Sequence, residues 1–526
     1  QPLIFAAQHL RGQPGRIMVP RVGAGALLAA CLVVSALASS PFDAPMPVLR
    51  SMSEARLGTP HLFPARSQSQ ASFDELLQLL DQKRDEILLA QASAQREAAC
   101  AGKPLVAMFM HSLERNGANN FCLHLSSKLM HTQPFAIVFA PKEGPMRADF
   151  EALGLRVEIL DPAGADFLPT LERRLTEENI GMVLANTIMR CDVVSLAAKM
   201  DLKSVWVIHE AWPQDQLDYY AKEVFMMKNL DAAQIKAGFA VCGCIVFPSD
   251  VQKSIYDGLY RDDAAVTIYN GIPLQQLDSF RDQHDRDEVR KSLGYTKDDF
   301  VVLHLGTVCN RKGQIYTARS VSKLIKERGC SNVKCLMVGA RYIRDHEMKY
   351  IEEIKQTVLA NGLTYVRWED TAEFDRGKAR VTVMDIQSDV LRFYMAADVV
   401  VVPSLNEVLP LVICEAMAFE RPVVCSKIDA IPEALDDGVE GFLVPPGEAD
   451  ELADAIQKFH ADPSLAANFG KSGRERVLKQ FAYDVMISQY DRIMDNLAAG
   501  RKATDHGPGA AAPAASLPPP PPPPPP

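Results

Sequence analysis

The chain has no surplus of positive charge. Lys and Arg number 56 against 66 Asp and Glu, a formal net charge of −10 over 526 residues, and a basic field of the kind that holds nucleic acid is excluded. It has no framed cysteines either: eleven are scattered along the sequence, and the close pair Cys242 and Cys244 has no second pair at zinc-finger distance. Most sit in apolar stretches, Cys335 and Cys414 among them, and read as small buried hydrophobes. An Asn-x-Ser/Thr sequon is absent, so nothing demands a glycosylated, lumenal protein. Mean hydropathy of −0.05 excludes a polytopic membrane protein, though not one anchoring span. What is plentiful is hydrophobic sequence, 48% of residues, enough for two sizeable cores.

The two ends differ from the middle. The chain opens on Gln1, which suggests a processed or incomplete start, and residues 1 to 53 hold one acid, Asp43, against Arg11, Arg16, Arg21 and Arg50. Val22 to Ala38 is an unbroken apolar and small run, at the lower limit of the roughly 17–25 residues a spanning helix needs. Three readings stay open for the 1–70 leader: a signal peptide cut after Ala38, an uncleaved anchor at 22–38, or an Arg-rich transit sequence. They correspond to membrane association, organelle targeting or a cytoplasmic location after processing. Within 71–100, Leu76, Leu77, Leu79, Leu80, Ile87 and Leu88 recur at helical spacing, an amphipathic helix that packs on the body or on another chain. The Ala/Pro-rich 499–526 ends in prolines from Pro518 to Pro526, which favour extended polyproline II and build no core. Both terminal extensions are expected to be flexible.

From Pro104 the pattern becomes strand, turn, helix. Short runs apolar on both faces (LVAMFM, FAIVFA, LRVEIL, IGMVLAN, SVWVIHE, CIVFPS) alternate with helical segments, and a second series opens at Phe300 (FVVLHLG, VKCLMVG, LTYVRW, VTVM, DVVVVPS, RPVVCS, GFLVPP). Such runs suit parallel sheets covered by helices. The expected fold is α/β, two doubly wound Rossmann-like domains over 101–275 and 276–480, with 481–498 a last helix packing back on the body. Ligands of such sheets bind at the carboxyl ends of the strands, here in the cleft between the domains. Asp285-Arg286-Asp287 imitates a DxD metal clamp. It lies in a dense charge run with no buried strand before it, and reads as a solvated face.

The stretch from Asp398 to Leu435 is the richest in chemistry. A buried strand ends at Pro403-Ser404, a loop carries Glu407, Pro410 is placed at a first helical position, and the following helix presents Glu415 among Ile413, Cys414, Ala416 and Met417. Carboxylates accept hydrogen bonds from vicinal diols, and the free amides at a helix start near Leu411 offer a positive pole to a diphosphate. The Glu407 and Glu415 pair forms the pattern E-x7-E. Together with AADVVVVPS, GVEGFLVPPGEADELADAI, HLGTVCNRKGQ, HSLERNGANN and TIYNGIP, it resembles the retaining glycosyltransferases of family 4, of GT-B architecture, over roughly Pro104 to Leu497.

That resemblance implies a metal-independent transferase without a tightly bound cofactor, moving a sugar from a UDP- or GDP-sugar to a carbohydrate, lipid-linked or other hydroxyl acceptor. It implies that Gly306, Arg311, Lys312 and Gly313 form the loop that holds the donor diphosphate. Thr307 stands where the family has an arginine, and Glu407-Val408-Leu409-Pro410 replaces the usual glycine-rich turn. Glu407 inherits contact with the donor sugar, and Glu415 with the ribose. Asn116, Gly117, Ala118 and Asn119 correspond to the loop near phosphate and acceptor. His209 corresponds to the active-site histidine, and is expected to position sugar or acceptor. Other GT-B chemistry, an epimerase or a phosphorylase, and a silent nucleotide-sugar-binding scaffold are the alternatives.

Overall fold

The structure is a computed structural model that describes residues 95–227, 229–370 and 378–505. The chain divides into two units, Gln1–Ile87 and Leu88–Pro526, and every described residue belongs to the second. The run at 22–38, most of the helix expected over 71–100, and the proline run lie outside the described residues.

Two parallel seven-stranded sheets form the body. The first lobe runs β1 (Leu105–Phe109), α1 (Gly117–Leu129), β2 (Phe135–Ala140), β3 (Arg156–Ile159), β4 (Ile180–Asn186), β5 (Lys203–Val207), β6 (Cys244–Phe247), α2 (Asp250–Ile255) and β7 (Ala265–Thr267). Its strand order is 3-2-1-4-5-6-7. The second contains β8 (Phe300–Leu305), α3 (Gln314–Lys326), β9 (Val333–Ala340), β10 (Tyr365–Arg367), β11 (Val381–Asp385), α4 (Leu391–Ala396), β12 (Val399–Val402), α5 (Leu411–Ala418), β13 (Val423–Ser426), α6 (Ile431–Ala434) and β14 (Gly441–Val444). Its order is 10-11-9-8-12-13-14. All eight residues of β9 and all four of β12 are buried, because helices cover both faces of a parallel sheet and no strand face meets water.

The order reverses direction between β1 and β4, and again between β8 and β12. At such a switch point the loops leaving neighbouring strands part to opposite faces and open a crevice at the carboxyl edge. In the second lobe the two loops that flank it nonetheless approach closely: Leu405 N donates to Arg311 O at 2.7 Å. Gly313, at φ 75°, makes the approach feasible, since a Cβ there would lie 2.0 Å from Pro403 O.

Helices α7 (Ala449–Ala461) and α8 (Pro463–Gln480) close the second lobe, and α9 (Tyr483–Ala498) crosses back. Met486, Tyr490, Ile493, Met494 and Leu497 share one apolar core with Val106, Met108 and Leu125 of the first lobe. Gln133 Nε2 fixes the helix by donating to Asp491 and Asp495 at 2.6 and 2.8 Å. A second tie runs the other way: Glu433 of α6 accepts the amides of Asp250 and Val251, both at 2.8 Å, at the start of α2 in the first lobe.

Replacing Gly313 by Ala forces a side chain into a left-handed backbone and against a carbonyl. We expect Gly313→Ala to cost at least about 1–3 kcal/mol in urea unfolding; an unchanged midpoint would show that the loops need not lie so close.

Candidate functional site

The second lobe supplies cations and a carboxylate from opposite sides of its switch point. The loop after β8 ends in a short turn, Asn310–Lys312, capped by Gly313. The loop after β12 carries Glu407. Lys312 Nζ forms an ion pair with Glu407 Oε1, and the Lys312 side chain is 17% exposed and that of Glu407 7%. The Glu407 carboxylate is further fixed by Ser404 Oγ at 2.9 Å, and its backbone amide donates to Asp429 Oδ2 at 2.8 Å. Arg311 lies on the rim, 54% exposed, 3.7 Å from Glu407 Oε2 and 3.4 Å from Asn406 O. The structure thus brings Arg311, Lys312 and Glu407 together. An ammonium has three donors, and Glu407 uses one of them.

Gly306 leaves β8 at φ 146°, and its carbonyl lies against Gly339 so tightly that a Cβ there would approach within 2.3 Å. Thr307 has its carbonyl taken by Gln314 Nε2 at 3.1 Å. Leu411 opens α5, but Pro410 is its N-cap, at ψ 117°, and not its first helical residue. The extended conformation of Pro410 holds the loop off the helix axis, which corrects the expected placement by one position. Of the first-turn amides of α3 and α5, Ile315 N is taken by Tyr350 Oη at 3.1 Å, Tyr316 N by Gly313 O and Ile413 N by Pro410 O, which leaves those of Gln314, Leu411 and Val412 as the donors at this edge. Glu415, one turn further along α5, does not join the Lys312 cluster through any contact. Its Oε2 accepts the hydroxyl of buried Tyr394, and burial raises its pKa while that hydrogen bond lowers it.

In the first lobe, Asn116 caps α1, its side chain accepting the Asn119 amide at 3.0 Å. Asn119 is fully buried and donates to Ser112 Oγ at 2.8 Å and Glu114 O at 2.7 Å. Its donors are therefore spent bracing its own loop. Gly117 begins α1 with nothing crowding its Cα, and the Ala118 carbonyl accepts Asn186 Nδ2 at 3.2 Å.

Asn186, buried at the end of β4, and His209, just past β5, were connected only by the fold. His209 Nε2 lies 2.8 Å from Asn186 Oδ1. Because the amide NH2 of Asn186 donates to Ala118, its oxygen must face the ring, and His209 carries its proton on Nε2. The opposite nitrogen, Nδ1, has no partner among the described residues. Burial, then the neighbouring His111, pulls His209 down to about 4, so the ring is neutral at physiological pH. His111, at the end of β1, is held at about 4 by burial and by Arg190, and its buried Nδ1 lacks a partner. Glu210 accepts the amides of Ile188 at 2.9 Å and His209 at 3.1 Å, and burial pushes it up to about 7. Thr187 sits at φ 77° beside them, its amide on Val207 O at 2.8 Å. Asn186 and His111 are the residues that sequence reasoning missed; their signal is position, each at the end of a buried apolar run.

Asp285 caps a helix by accepting the Glu288 amide at 3.0 Å, and Asp287 pairs with Lys297 at 2.7 Å. The DxD-like triplet is a helix start. Among the described residues no three His, Cys, Asp or Glu side chains group as a metal ion would require, and no helix is long and apolar enough to cross a membrane.

Residues 285–476 match the model for glycosyl transferases group 1. The chain is 41% identical over 256 residues to the D-inositol 3-phosphate glycosyltransferase of Saccharomonospora viridis, a match covering 48% of this chain and 56% of that protein. It is 25% identical over 261 residues to an uncharacterized glycosyltransferase of Methanocaldococcus jannaschii, covering 49% and 60%. The chain therefore spans about half to three fifths of the length of these curated relatives. Among solved structures, Anabaena HepE in complex with UDP superposes with a TM-score of 0.61 at 20% identity, over 75% of this chain and 100% of that one. A glycosyltransferase from Rickettsia africae gives 0.60 at 16%, over 76% and 99%. The fold is GT-B.

A depressed histidine pKa stabilises the fold fully above about 6.5, and that contribution is lost as pH falls toward 4. By nitrogen-15 NMR, His209 is expected to hold the Nε2–H tautomer from pH 8 to pH 5. A protonation midpoint near 6.5 would contradict the burial of the ring, and the Nδ1–H form would contradict the Asn186 contact.

Proposed function

We propose that this chain transfers a sugar from a nucleotide sugar, UDP- or GDP-linked, to an acceptor hydroxyl, with retention of anomeric configuration and without a metal ion. The observation that carries the reading is the pairing of Lys312, on the loop after β8, with Glu407, on the loop after β12, across the switch point where ligands of doubly wound sheets bind.

The donor diphosphate would lie over that pair. Lys312 would keep one hydrogen on Glu407 and turn its others to phosphate oxygens, with Arg311 reaching in from the rim. Amides at the starts of α3 and α5 would add to the positive field. As the glycosidic bond breaks, negative charge accumulates on the diphosphate and the anomeric carbon becomes oxocarbenium-like; stabilising the leaving group is the largest service a fixed cation can give. Glu407, one oxygen committed to Lys312, would offer the other to donor-sugar hydroxyls, and Glu415 would accept from the ribose. The acceptor hydroxyl would attack on the face the phosphate leaves and pass its proton to the departing phosphate oxygen, which yields retention without a covalent glycosyl-enzyme.

From the first lobe, neutral His209 would accept a hydroxyl hydrogen bond at Nδ1, and so position sugar or acceptor without adding charge. The relatives' names support a glycosyl transfer, and the UDP complex of HepE supports a nucleotide-sugar donor.

The full chain, assayed against a panel of UDP- and GDP-sugars with carbohydrate, polyol and lipid-linked acceptors, is expected to form glycoside. Lys312→Ala should lower turnover about 10²–10³-fold, and equal turnover would contradict the assignment. Conversion of donor without acceptor would instead identify an epimerase, sugar transfer to inorganic phosphate a phosphorylase, and nucleotide binding without turnover a scaffold.

A further inference from the structure

The donor loops lie at the carboxyl edge of the second sheet. At its amino edge, where β12 and β13 begin, lies a second charged cluster that the proposed reaction does not use. Five arginines, Arg281, Arg286, Arg290, Arg421 and Arg474, meet three carboxylates, Asp278, Asp398 and Glu420. Four of the five have protein acceptors. Arg286 donates to Met395 O, Ala397 O and Asp398 Oδ1 at 3.0, 2.9 and 2.7 Å. Arg290 donates to Ala396 O and Asp398 Oδ2 at 2.8 and 3.0 Å. Arg281 donates to Ala418 O at 3.0 Å and Glu420 Oε1 at 2.9 Å, and Arg474 to Ala418 O at 2.7 Å and Asp278 Oδ1 at 2.8 Å.

Arg421 receives nothing. Its backbone is fixed, the amide donating to Ala416 O at 2.9 Å, and the next residue's carbonyl accepts Val400 N at 3.1 Å, so the side chain starts between Glu420 and the Asp398 strand. Its Nε is sealed from solvent without an acceptor, and the guanidinium makes no hydrogen bond or ion pair with any described residue. The carboxylates it feels are already claimed: Asp398 by two arginines and by the Val301 amide at 2.7 Å, and Glu420 by Arg281. Burial, with the repulsion of Arg286 and Arg281, pulls its pKa down to about 9, yet the group stays charged at neutral pH. A largely buried cation beside other cations is costly unless an anion compensates it.

We infer that Arg421, flanked by Arg281 and Arg286, forms a binding site for a small oxyanion of the phosphate class at the amino edge of the second sheet. Guanidinium forks match tetrahedral oxyanions by paired N–H donors, which a point cation such as a lysine ammonium does not offer. The residue is partly exposed, so an anion reaches it from solvent. The site is separate from the donor loops: α5 opens on them at Leu411 and ends, roughly 12 Å away by its eight-residue length, at the Ala418 carbonyl held by Arg281 and Arg474.

Thermal unfolding of the full chain with inorganic phosphate, at an ionic strength held constant with sodium chloride, tests this. Phosphate is expected to raise Tm by about 2 °C or more at saturation in the wild type and in Lys312→Ala, and to have no effect in Arg421→Gln. Without phosphate, Arg421→Gln is expected to melt higher than the wild type, having lost an uncompensated cation. Should that variant fail to fold, Arg421→Lys carries the test, with a phosphate midpoint shifted at least tenfold upward. An equal rise in Arg421→Gln overturns the site, as does a rise that disappears in Lys312→Ala, which would place the phosphate at the donor loops. No rise in any variant, or the same rise with sodium chloride alone, an adventitious ion only, overturns it as well.

Discussion

The proposed donor site depends on how closely two loops can pass at the switch point of the second sheet. Doubly wound topology sends the loop after β8 and the loop after β12 to opposite faces, yet Leu405 N reaches Arg311 O at 2.7 Å. One residue without a side chain, Gly313 against Pro403 O, allows this. The approach is what seats Lys312 against Glu407. Were the loops a few ångströms further apart, the ammonium would be a solvated surface charge worth little; where it is, mostly withdrawn from water, its field falls on the crevice.

The first lobe contributes a different kind of group. Its strand ends carry buried, neutral or nearly neutral side chains: His111 and His209 discharged by burial, and Glu210 pushed up to about 7. Charge is thus concentrated on the second lobe, where a diphosphate would bind, and hydrogen-bonding polarity on the first. Helix α9 and the Glu433 cap on α2 tie the lobes together, one through an apolar core and the other through two amide hydrogen bonds. The second tie is short-range and polar, and so better suited to being made and broken.

Much of the framework was legible in the sequence. Thirteen runs apolar on both faces became strands, because a strand covered on both sides admits hardly any other residue. β7, three residues of which one is buried, left no such signature. The Lys312 and Glu407 loops were legible through motif spacing, but their ion pair was not, since 95 residues separate them. Asn186 was invisible for the same reason: its partners are Ala118 and His209, on other elements. The bracing role of Asn119 was not legible, because a short polar side chain in a turn serves a ligand or its own loop equally well by sequence. The Tyr394 hydroxyl on Glu415 likewise depends on how α4 packs beside α5.

The most direct test is a crystal structure of the full chain soaked with UDP and, separately, GDP. The account predicts a diphosphate within hydrogen-bond distance of Lys312 Nζ, over the starts of α3 and α5, with the ribose hydroxyls on Glu415. A nucleotide bound elsewhere, or a diphosphate that leaves Lys312 untouched, would contradict it.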